Sequence, residues 1–367
     1  MAKKKKEDDV TNNVALAETE DKEKKIELAK KAIIKKYGDV LYNFNDDDTT
    51  SISTTISTGS LSLDLALGNG GLATGRIYEI YGPYSSGKST CAQNVIVQAQ
   101  RRGMRCCYVD AEHSVDVKLL RAYGVAVDDL DIAGGYDAEE NLDILESLIK
   151  TGGYKVAVVD SVSALVPRAE AEADIDKDSM ALQARIMSKA LRKLVPIVST
   201  TDTVLIFTNQ IRMKVGMVFG NPEVTSGGGA LGFYSTGRIA MRGGEARNRR
   251  ILDSSGETIG HRAEFEVVKN KLYAPFRKAE ISLIYGSGYD IHQEIIEFAV
   301  NLGIIDKTGA WYKYEGNNIA QGEANMVAFL KNEDNTDFFN NIRKEVLSRS
   351  GLGDIYESYS NPGPLYT

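Results

Sequence analysis

The sequence has little cysteine and no long apolar run. Its three cysteines, Cys91, Cys106 and Cys107, have the spacing of neither a disulfide framework nor a zinc site. No apolar stretch approaches the roughly 20 residues that a membrane-spanning helix requires. The lysine run Lys3–Lys6 is followed by acidic residues instead of the apolar segment of a signal peptide. We therefore expect reduced thiols, no membrane contact and a cytoplasmic location.

An excess of positive charge is lacking too. The 367 residues carry a formal charge of −7, which excludes a protein that attracts nucleic acid over its whole surface. Any such binding must depend on a local basic region. The hydrophobic fraction of 43% is that of an ordinary folded protein. The composition therefore predicts a folded chain with a large core and smaller appendages.

Changes in composition divide the chain into four segments. We predict a disordered start with an N-terminal helix and linker at residues 1–50, a core at 51–285, a small C-terminal domain at 286–348 and a mobile tail at 349–367. The helix runs from Asp21 to Tyr37, with Ile26, Ala29 and Ile33 on one face. The apolar face of this helix would be buried against a partner surface, and a solvated helix without a partner is an equally weighted alternative.

Short apolar runs alternate with helix-length segments in the core. The predicted strands are Ile77–Tyr81, Cys106–Asp110, Val156–Asp160 and Val204–Thr208. Such alternation is typical of a parallel sheet with crossover helices. We predict an α/β fold, a mainly parallel twisted sheet flanked by helices, with an N-terminal helix and a small α+β C-terminal domain.

A glycine-rich loop follows the first of these strands and precedes a helical run from Lys88 to Gln100. It matches the G-x-x-x-x-G-K-[ST] pattern, in which glycines let backbone amides turn toward phosphates. Lys88 supplies charge to the β- and γ-phosphates, and the Ser89 hydroxyl ligates magnesium. An ordinary glycine-rich turn is a minor alternative. The loop predicts ATP and Mg²⁺ as cofactors, bound by Gly82, Pro83, Tyr84, Ser85, Ser86, Gly87, Lys88, Ser89 and Thr90.

Polar side chains end the other three strands. Asp160 stands where an acid can hold a magnesium-bound water, although apolar strands often end in aspartate. Glu112, just after Asp110, can activate the attacking water, but a surface acid that caps the next helix is the more common alternative. Gln210 can hydrogen-bond the γ-phosphate and signal its presence to the glycine-rich segment Arg212–Gly229.

Together with further motifs, these residues resemble the bacterial RecA family from about Ile52 to Leu347. The resemblance implies a RecA-like P-loop ATPase core. It also implies a DNA-dependent ATPase that forms helical filaments on single-stranded DNA and exchanges strands with homologous duplex DNA. A ring helicase of the same fold and a nucleotide-gated scaffold are alternatives. The motifs include Ile56-Ser-Thr-Gly-Ser-Leu-Ser-Leu-Asp64, Asp110-Ala-Glu-His113, Asn209-Gln-Ile-Arg-Met213, Phe219-Gly-Asn-Pro-Glu223 and Val267-Val-Lys-Asn-Lys271.

The resemblance assigns roles to single residues. It implies that Glu112 activates water and that Gln210 couples the γ-phosphate to the following loop. Lys269 and Lys271 are implied to reach the triphosphate of a neighbouring copy of the chain, so that ATP joins protomers. The N-terminal helix is implied to be a polymerisation helix that docks on the core of an adjacent copy. LexA-like repressors are a further implied partner. The additional nucleotide contacts that it implies are Asp116 and, at the adenine, Tyr285.

Two segments are implied to contact DNA. The first, about Glu170–Ala181, leads into a helix with a basic face, which without the resemblance we would interpret as merely solvated. The second is Met213–Gly229. Met180 and Val215 are the apolar residues predicted to wedge between bases. The implied contacts are Met180, Arg185, Ser188, Arg192, Arg212, Met213, Lys214, Val215, Gly227 and Gly228.

Several positions depart from the family pattern. Tyr84 stands where glutamate is common, and Leu119 where a nucleotide-stacking tyrosine is usual. Glu264 and Glu266 replace basic residues of the secondary DNA site, and Gly243 replaces an arginine. We hypothesise that nearby arginines restore positive potential there. These are Arg247, Arg249 and Arg250.

Overall fold

The computed structural model describes residues 22–38, 54–173, 180–213, 223–243, 247–253 and 255–353. The chain forms two units, Met1–Ile52 and Ser53–Thr367. Helix α1 of the first unit occupies residues 22–37, as predicted, and its Ile26 and Leu28 side chains are exposed. The predicted disordered start, the linker and most of the tail lie outside the described residues.

The second unit contains ten α-helices and sixteen strands among its described residues. The helices are α2 (Leu61–Leu67), α3 (Lys88–Arg101), α4 (Val117–Ala122), α5 (Ala138–Lys150), α6 (Arg168–Ala171), α7 (Met180–Thr201), α8 (Ala230–Tyr234), α9 (Ile291–Asn301), α10 (Glu323–Lys331) and α11 (Thr336–Arg349). The strands are β1 (Thr55–Ile56), β2 (Leu72–Ala73), β3 (Arg76–Gly82), β4 (Arg105–Asp110), β5 (Leu130–Ala133), β6 (Tyr154–Asp160), β7 (Val204–Met213), β8 (Glu223–Thr225), β9 (Gly237–Arg242), β10 (Arg250–Leu252), β11 (Thr258–Asn270), β12 (Arg277–Ile284), β13 (Gly288–Tyr289), β14 (Asp306–Thr308), β15 (Trp311–Tyr314) and β16 (Asn317–Gln321). Among the described residues, no helix has the length and apolar character needed to span a membrane.

An eleven-stranded sheet forms the centre of this unit, in the order β13-β12-β11-β9-β3-β7-β6-β4-β5, with β10 beside β11 and β8 beside β7. The strands from β9 to β5 are parallel, which confirms the predicted fold class. The antiparallel extension through β11 and β12 was not predicted. Its strands alternate between the core and the surface, with Phe265 and Val267 buried and Glu264 and Glu266 on the opposite face.

Helices cover both faces of the parallel strands, which explains why those strands read as continuous apolar runs. Val156 and Val158 of β6 pack into one core with α3, while Ala157 and Val159 pack into the other with α5 and α7. Neighbouring residues of a strand point to opposite faces, so both sets must be apolar when both faces are covered.

A third core belongs to the C-terminal part of the chain. Helices α9, α10 and α11 pack with the β14–β15–β16 sheet around Ile295, Met326, Phe339 and Val346. Leu61 of α2 completes this core, and the carboxylate of Glu294 anchors the contact.

Glu294 on α9 is 5% exposed and accepts four hydrogen bonds at the start of α2. The Leu61 and Ser62 amides donate over 2.9 Å each, and the Ser60 and Ser62 hydroxyls over 2.8 and 2.7 Å. Such a carboxylate caps the orphan amides of a helix N-terminus. Glu294 therefore fixes α9 against α2.

Replacing Glu294 by glutamine should lower the free energy of unfolding by about 2–3 kcal/mol, because an amide is a weaker acceptor and its NH₂ would face amide donors. Urea denaturation measures the loss. The control is Glu297→Gln on the same helix, since the exposed Glu297 pairs with Arg262 at 3.4 Å and should contribute less than about 1 kcal/mol. Equal losses in the two variants would contradict the anchoring role.

Candidate nucleotide and DNA site

The predicted polar side chains meet at the carboxyl edge of the parallel strands. In the pairing register, Gly82 at the end of β3 lies beside Gln210 of β7, and Asp110 at the end of β4 lies beside Asp160 at the end of β6. Ligands of open parallel sheets bind at this edge. Side chains more than 100 residues apart in sequence thus surround one loop.

That loop is the predicted phosphate loop, and it connects β3 to α3. Ser85 has φ 54° and Gly87, the N-cap of α3, has φ 92°. Lys88 Nζ donates to the Pro83 carbonyl over 2.7 Å, and the Ser86 hydroxyl donates to the same carbonyl over 3.0 Å. Burial lowers the pKa of Lys88, while nearby Asp160 raises it. The loop and the helix N-terminus form an anion-binding geometry.

Asp160 is held from both neighbouring strands. The hydroxyls of Tyr108 on β4 and Thr208 on β7 each donate to its carboxylate. Burial and the adjacent Asp160 raise the pKa of Tyr108, which therefore keeps its proton and remains a donor. Oxygen ligands such as the Asp160 carboxylate and the Ser89 hydroxyl are those that Mg²⁺ prefers. Sequence reasoning missed Tyr108 and Thr208 because they lie within apolar strands.

Glu112 lies beside the loop and next to Gln210. Its amide donates to the Asp160 carbonyl over 3.2 Å, and its carboxylate accepts from the Ser161 hydroxyl. Gln210 Nε2 donates to the same carboxylate oxygen over 3.4 Å. The structure thus brings together Glu112 and Gln210, two of the polar residues that the sequence predicts at this edge. Ser161, which follows Asp160 directly, is a site residue that sequence reasoning did not identify.

Asn209 connects this edge to the following glycine-rich segment. Its Nδ2 donates to Glu79 Oε1 over 2.9 Å and to the Ser226 carbonyl over 3.0 Å, and its Oδ1 accepts from the Gln210 amide over 2.9 Å. The buried Glu79 also forms an ion pair with Arg238 Nε at 2.5 Å. One amide side chain therefore links β3, β7 and the Ser226 end of the segment.

The other predicted nucleotide contacts, Asp116 and Tyr285, have partners outside the phosphate loop. Asp116 is the N-cap of α4 and accepts from the Lys118 amide over 2.7 Å, so its contact with nucleotide stays a prediction. Leu119 is 38% exposed. Tyr285 is half-exposed, and its hydroxyl lies 3.3 Å from Nδ1 of His261.

Lys269 and Lys271 point away from the phosphate loop of their own chain. Lys269 Nζ donates to the carbonyls of Gly232 and Phe233 over 2.6 and 3.0 Å, and Lys271 Nζ donates to Phe233 over 3.2 Å. Burial and the neighbouring Lys271 lower the pKa of Lys269. In the sheet, Lys269 pairs near the start of β9, at the opposite end from the carboxyl edge. The structure does not bring these lysines to Lys88.

An open cavity of about 740 Å³ lies between β7, β8, α7 and α8, where Arg212, Gly227 and Gly228 line one wall. Both glycines have positive φ, 79° and 75°. A Cβ at Gly227 would lie 2.8 Å from Val162, and one at Gly228 would lie 2.7 Å from Ala184. Only glycine fits this approach of backbone to α7.

The basic face of α7 occurs as predicted. Arg185, Lys189 and Arg192 are exposed, while Lys193 pairs with Glu146 at 3.5 Å. Arg192 Nε donates to the Ser188 carbonyl over 3.2 Å. Met213 is 64% exposed. Residues that lie outside the described part of the chain are Lys214, Val215 and the side chain of Met180.

Arg249 does not supply free positive charge beside β11. It forms a hydrogen-bonded ion pair with Glu264, to which Lys278 adds a contact at 3.3 Å. The Arg249 hydrogen bond, followed by that of Lys278, lowers the pKa of Glu264. Arg249 therefore neutralises the charge of Glu264 and cannot add positive potential. The hypothesis that arginines restore positive potential here now depends on Arg250, which is exposed, and on Arg247, whose side chain lies outside the described residues.

Comparison with known proteins agrees with this geometry. Residues 24–290 match the RecA N-terminal domain and residues 293–351 the RecA C-terminal domain. The chain is 47% identical to the RecA protein of Desulforapulum autotrophicum over 297 residues, 81% of this chain and 84% of the relative. It is 44% identical to that of Geobacter sulfurreducens over 335 residues, 91% of this chain and 97% of the relative. For Saccharopolyspora erythraea the identity is 42% over 351 residues, 95% and 99% of the two chains.

Glu79→Gln should lower the free energy of unfolding by about 2 kcal/mol, because Arg238 loses its charged partner while Asn209 keeps an acceptor. Glu345→Gln is the control, since Glu345 forms an exposed pair with Arg349 that should contribute less than about 1 kcal/mol. Urea denaturation of both variants measures the difference. A loss in Glu79→Gln no larger than that of the control would show that the ion pair is not stabilising.

Proposed function

The chain belongs to the RecA family, and from this premise we propose how its residues perform the reaction of that family. It is an ATP-dependent recombinase that forms helical filaments on single-stranded DNA and catalyses homologous pairing and strand exchange. The relatives, matched over 84–99% of their own length in the three comparisons, are RecA proteins of bacteria. A ring helicase is therefore not favoured. The observation that carries the mechanism is the meeting of Glu112 and Gln210 beside the phosphate loop.

We assign ATP to the loop residues 82–90, with Asp116 and Tyr285 near the base. Ser89 and, through water, Asp160 would hold Mg²⁺, which when bound neutralises charge on the phosphates. Lys88 leaves the Pro83 carbonyl for the β- and γ-phosphates. Its burial strengthens that attraction because water screens it less.

Glu112 orients the attacking water and accepts its proton on a carboxylate oxygen. The Ser161 hydroxyl fixes that carboxylate, and the Gln210 amide contacts it before the γ-phosphate is bound. When a γ-phosphate is present, Gln210 turns toward it, and β7 transmits the change to Arg212 and Met213. The Asn209 contacts carry the same change to Ser226 at the other end of the segment.

Single-stranded DNA would lie along the cavity wall. Its backbone contacts the amides of Gly227 and Gly228 and the side chains of Arg212 and Lys214. It also contacts the face of α7 that carries Arg185, Ser188 and Arg192. Met180 and Val215 separate the bases. These contacts read no letter code, so base pairing itself tests the incoming duplex.

Lys269 and Lys271 act on the triphosphate of the neighbouring protomer, where they stabilise the charge that develops on the transferred phosphoryl group. Their distance from their own phosphate loop supports this assignment. We also propose that the segments divide at residues 50, 285 and 348. A cytoplasmic location and recognition of LexA-like repressors are proposed from family membership alone.

The rate of ATP hydrolysis should rise about tenfold or more when single-stranded DNA is added, since coupling free energies of 1–3 kcal/mol are typical. Lys88→Ala should abolish hydrolysis in both conditions. Negative-stain images of the same mixtures should show helical filaments with ATP and DNA. Closed rings, or hydrolysis that DNA leaves unchanged, would refute the recombinase mechanism.

The neighbour role of the lysines can be tested by mixing two inactive variants. Lys88→Ala and Lys269→Ala/Lys271→Ala should each hydrolyse almost no ATP. In mixed filaments, however, some interfaces join an intact phosphate loop to intact lysines. Hydrolysis should therefore recover, and at equal concentrations about a quarter of the wild-type rate is expected if the copies assemble at random. If the mixture stays inactive while mixed filaments form, the lysines do not act in trans.

A further inference from the structure

His261 is a buried imidazole beside the phosphate loop for which the proposed mechanism has no use. It lies on β11 between Arg250 of β10 and Leu283 of β12 and is 1% exposed. The resemblance assigned no role to this position. Buried polar groups are rarely left without a partner, so each exception needs an explanation.

The two ring nitrogens of His261 differ in their surroundings. Nδ1 lies 3.3 Å from the Tyr285 hydroxyl, and the two ring centroids are 5.7 Å apart. Nε2 is buried and has no hydrogen-bond partner among the described residues. The phosphate loop lies against the neighbouring strand, because a Cβ at Gly87 would lie 2.7 Å from Cδ1 of Leu283, the residue that pairs with His261. The main chain of Ser86 in this loop raises the pKa of the ring. If Nδ1 accepts from the Tyr285 hydroxyl, the imidazole proton is on Nε2 and is available to a carbonyl.

Gly243 makes room for this ring. It directly follows β9 and has φ 156°, and a Cβ there would lie 2.7 Å from Cδ2 and 3.0 Å from Nε2 of His261. A side chain at this position would displace the imidazole. The departure of Gly243 from the family arginine therefore has a physical reason in this chain, since the ring takes the space next to it.

We propose that His261 is a positioning residue for the nucleotide, which joins the phosphate loop at Ser86 to Tyr285 when ATP binds. The proposal rests on the proposed function, in which Ser86 lies against the phosphates and Tyr285 against the adenine. In the structure, Nε2 has no hydrogen-bond partner among the described residues. When the phosphate loop binds the phosphates of the nucleotide, the Ser86 carbonyl accepts from Nε2–H, and the Tyr285 hydroxyl continues to donate to Nδ1. Both ends of the nucleotide site are then held by one ring.

The neutral form of the ring fits this role. Burial lowers the pKa of His261 below its usual value, and the Ser86 main chain opposes that shift. A neutral imidazole donates through one nitrogen and accepts through the other, as the two contacts require. A neutral ring also carries no charge that would interact with the γ-phosphate, the group that ATP has and ADP lacks. The effect therefore belongs to nucleotide binding and not to the chemical step.

Kinetics of two variants test the proposal. His261→Phe keeps the ring volume but no hydrogen bond, and it should raise the KM for ATP about three- to tenfold with kcat changed by less than about twofold. His261→Gln, which restores a donor and an acceptor, should recover most of the loss. The matched control is His292→Phe, because His292 packs on Phe339 in the C-terminal core and should leave KM unchanged.

An unchanged KM in His261→Phe, a glutamine variant no better than phenylalanine, or a parallel fall in kcat would each overturn the proposal.

A spectroscopic test needs no variant to be active. The chain has three histidines, and solid-state ¹⁵N spectra of histidine-labelled protein should show the His261 Nε2 signal, identified by its loss in His261→Gln, shifting when ADP is added. A signal that ADP does not move would also overturn it. Absence of DNA-stimulated hydrolysis in the unchanged protein would refute the proposed function, whereas the ADP spectrum would still decide the role of His261.

Discussion

The parallel pairing of β3, β7, β6 and β4 is the constraint on which the rest of this structure depends. Parallel strands end at the same edge, so the phosphate loop, Asp160, Glu112 and Gln210 meet although they lie far apart in the sequence. Because helices cover both faces, the strands must be apolar along their length. Most of the polar chemistry therefore lies at the strand ends, where the chain leaves the core.

The few polar groups inside this sheet hold its edge in place. Asp160 is fixed by hydroxyls from the strands on either side, and Glu79 is fixed by Arg238 and Asn209. A buried charge without a partner raises the free energy of the folded chain, which favours the fold in which these partners of Asp160 and Glu79 are in contact with them. These groups both stabilise the sheet and connect the nucleotide side of the site to the segment that we assign to DNA.

Much of the fold was predictable from local patterns. Three of the four core strands lie within two residues of their predicted limits, whereas β7 runs five residues past its predicted end at Thr208. The phosphate loop lies between β3 and α3, as its mechanism requires. The antiparallel half of the sheet was missed, since its alternating strands are long but carry no motif of the phosphate site. Tyr108 and Thr208 were missed for a different reason. In an apolar strand, nothing in the sequence distinguishes a residue that packs from one that also donates to an acid on another strand.

The sequence by itself determined the elements whose signals are local, namely the phosphate loop, the apolar strands, the basic face of α7 and the family to which the chain belongs. Only the tertiary structure decided which charges cancel and which side chains meet. Arg249 and Glu264 had been assigned opposite effects on one surface, and the pairing of β10 with β11 joins them instead. Likewise, His261 meets Gly243 and Tyr285 only because three strands lie side by side. Such contacts depend on strand order and register, which arise from packing of the whole chain and not from the residues next to each position.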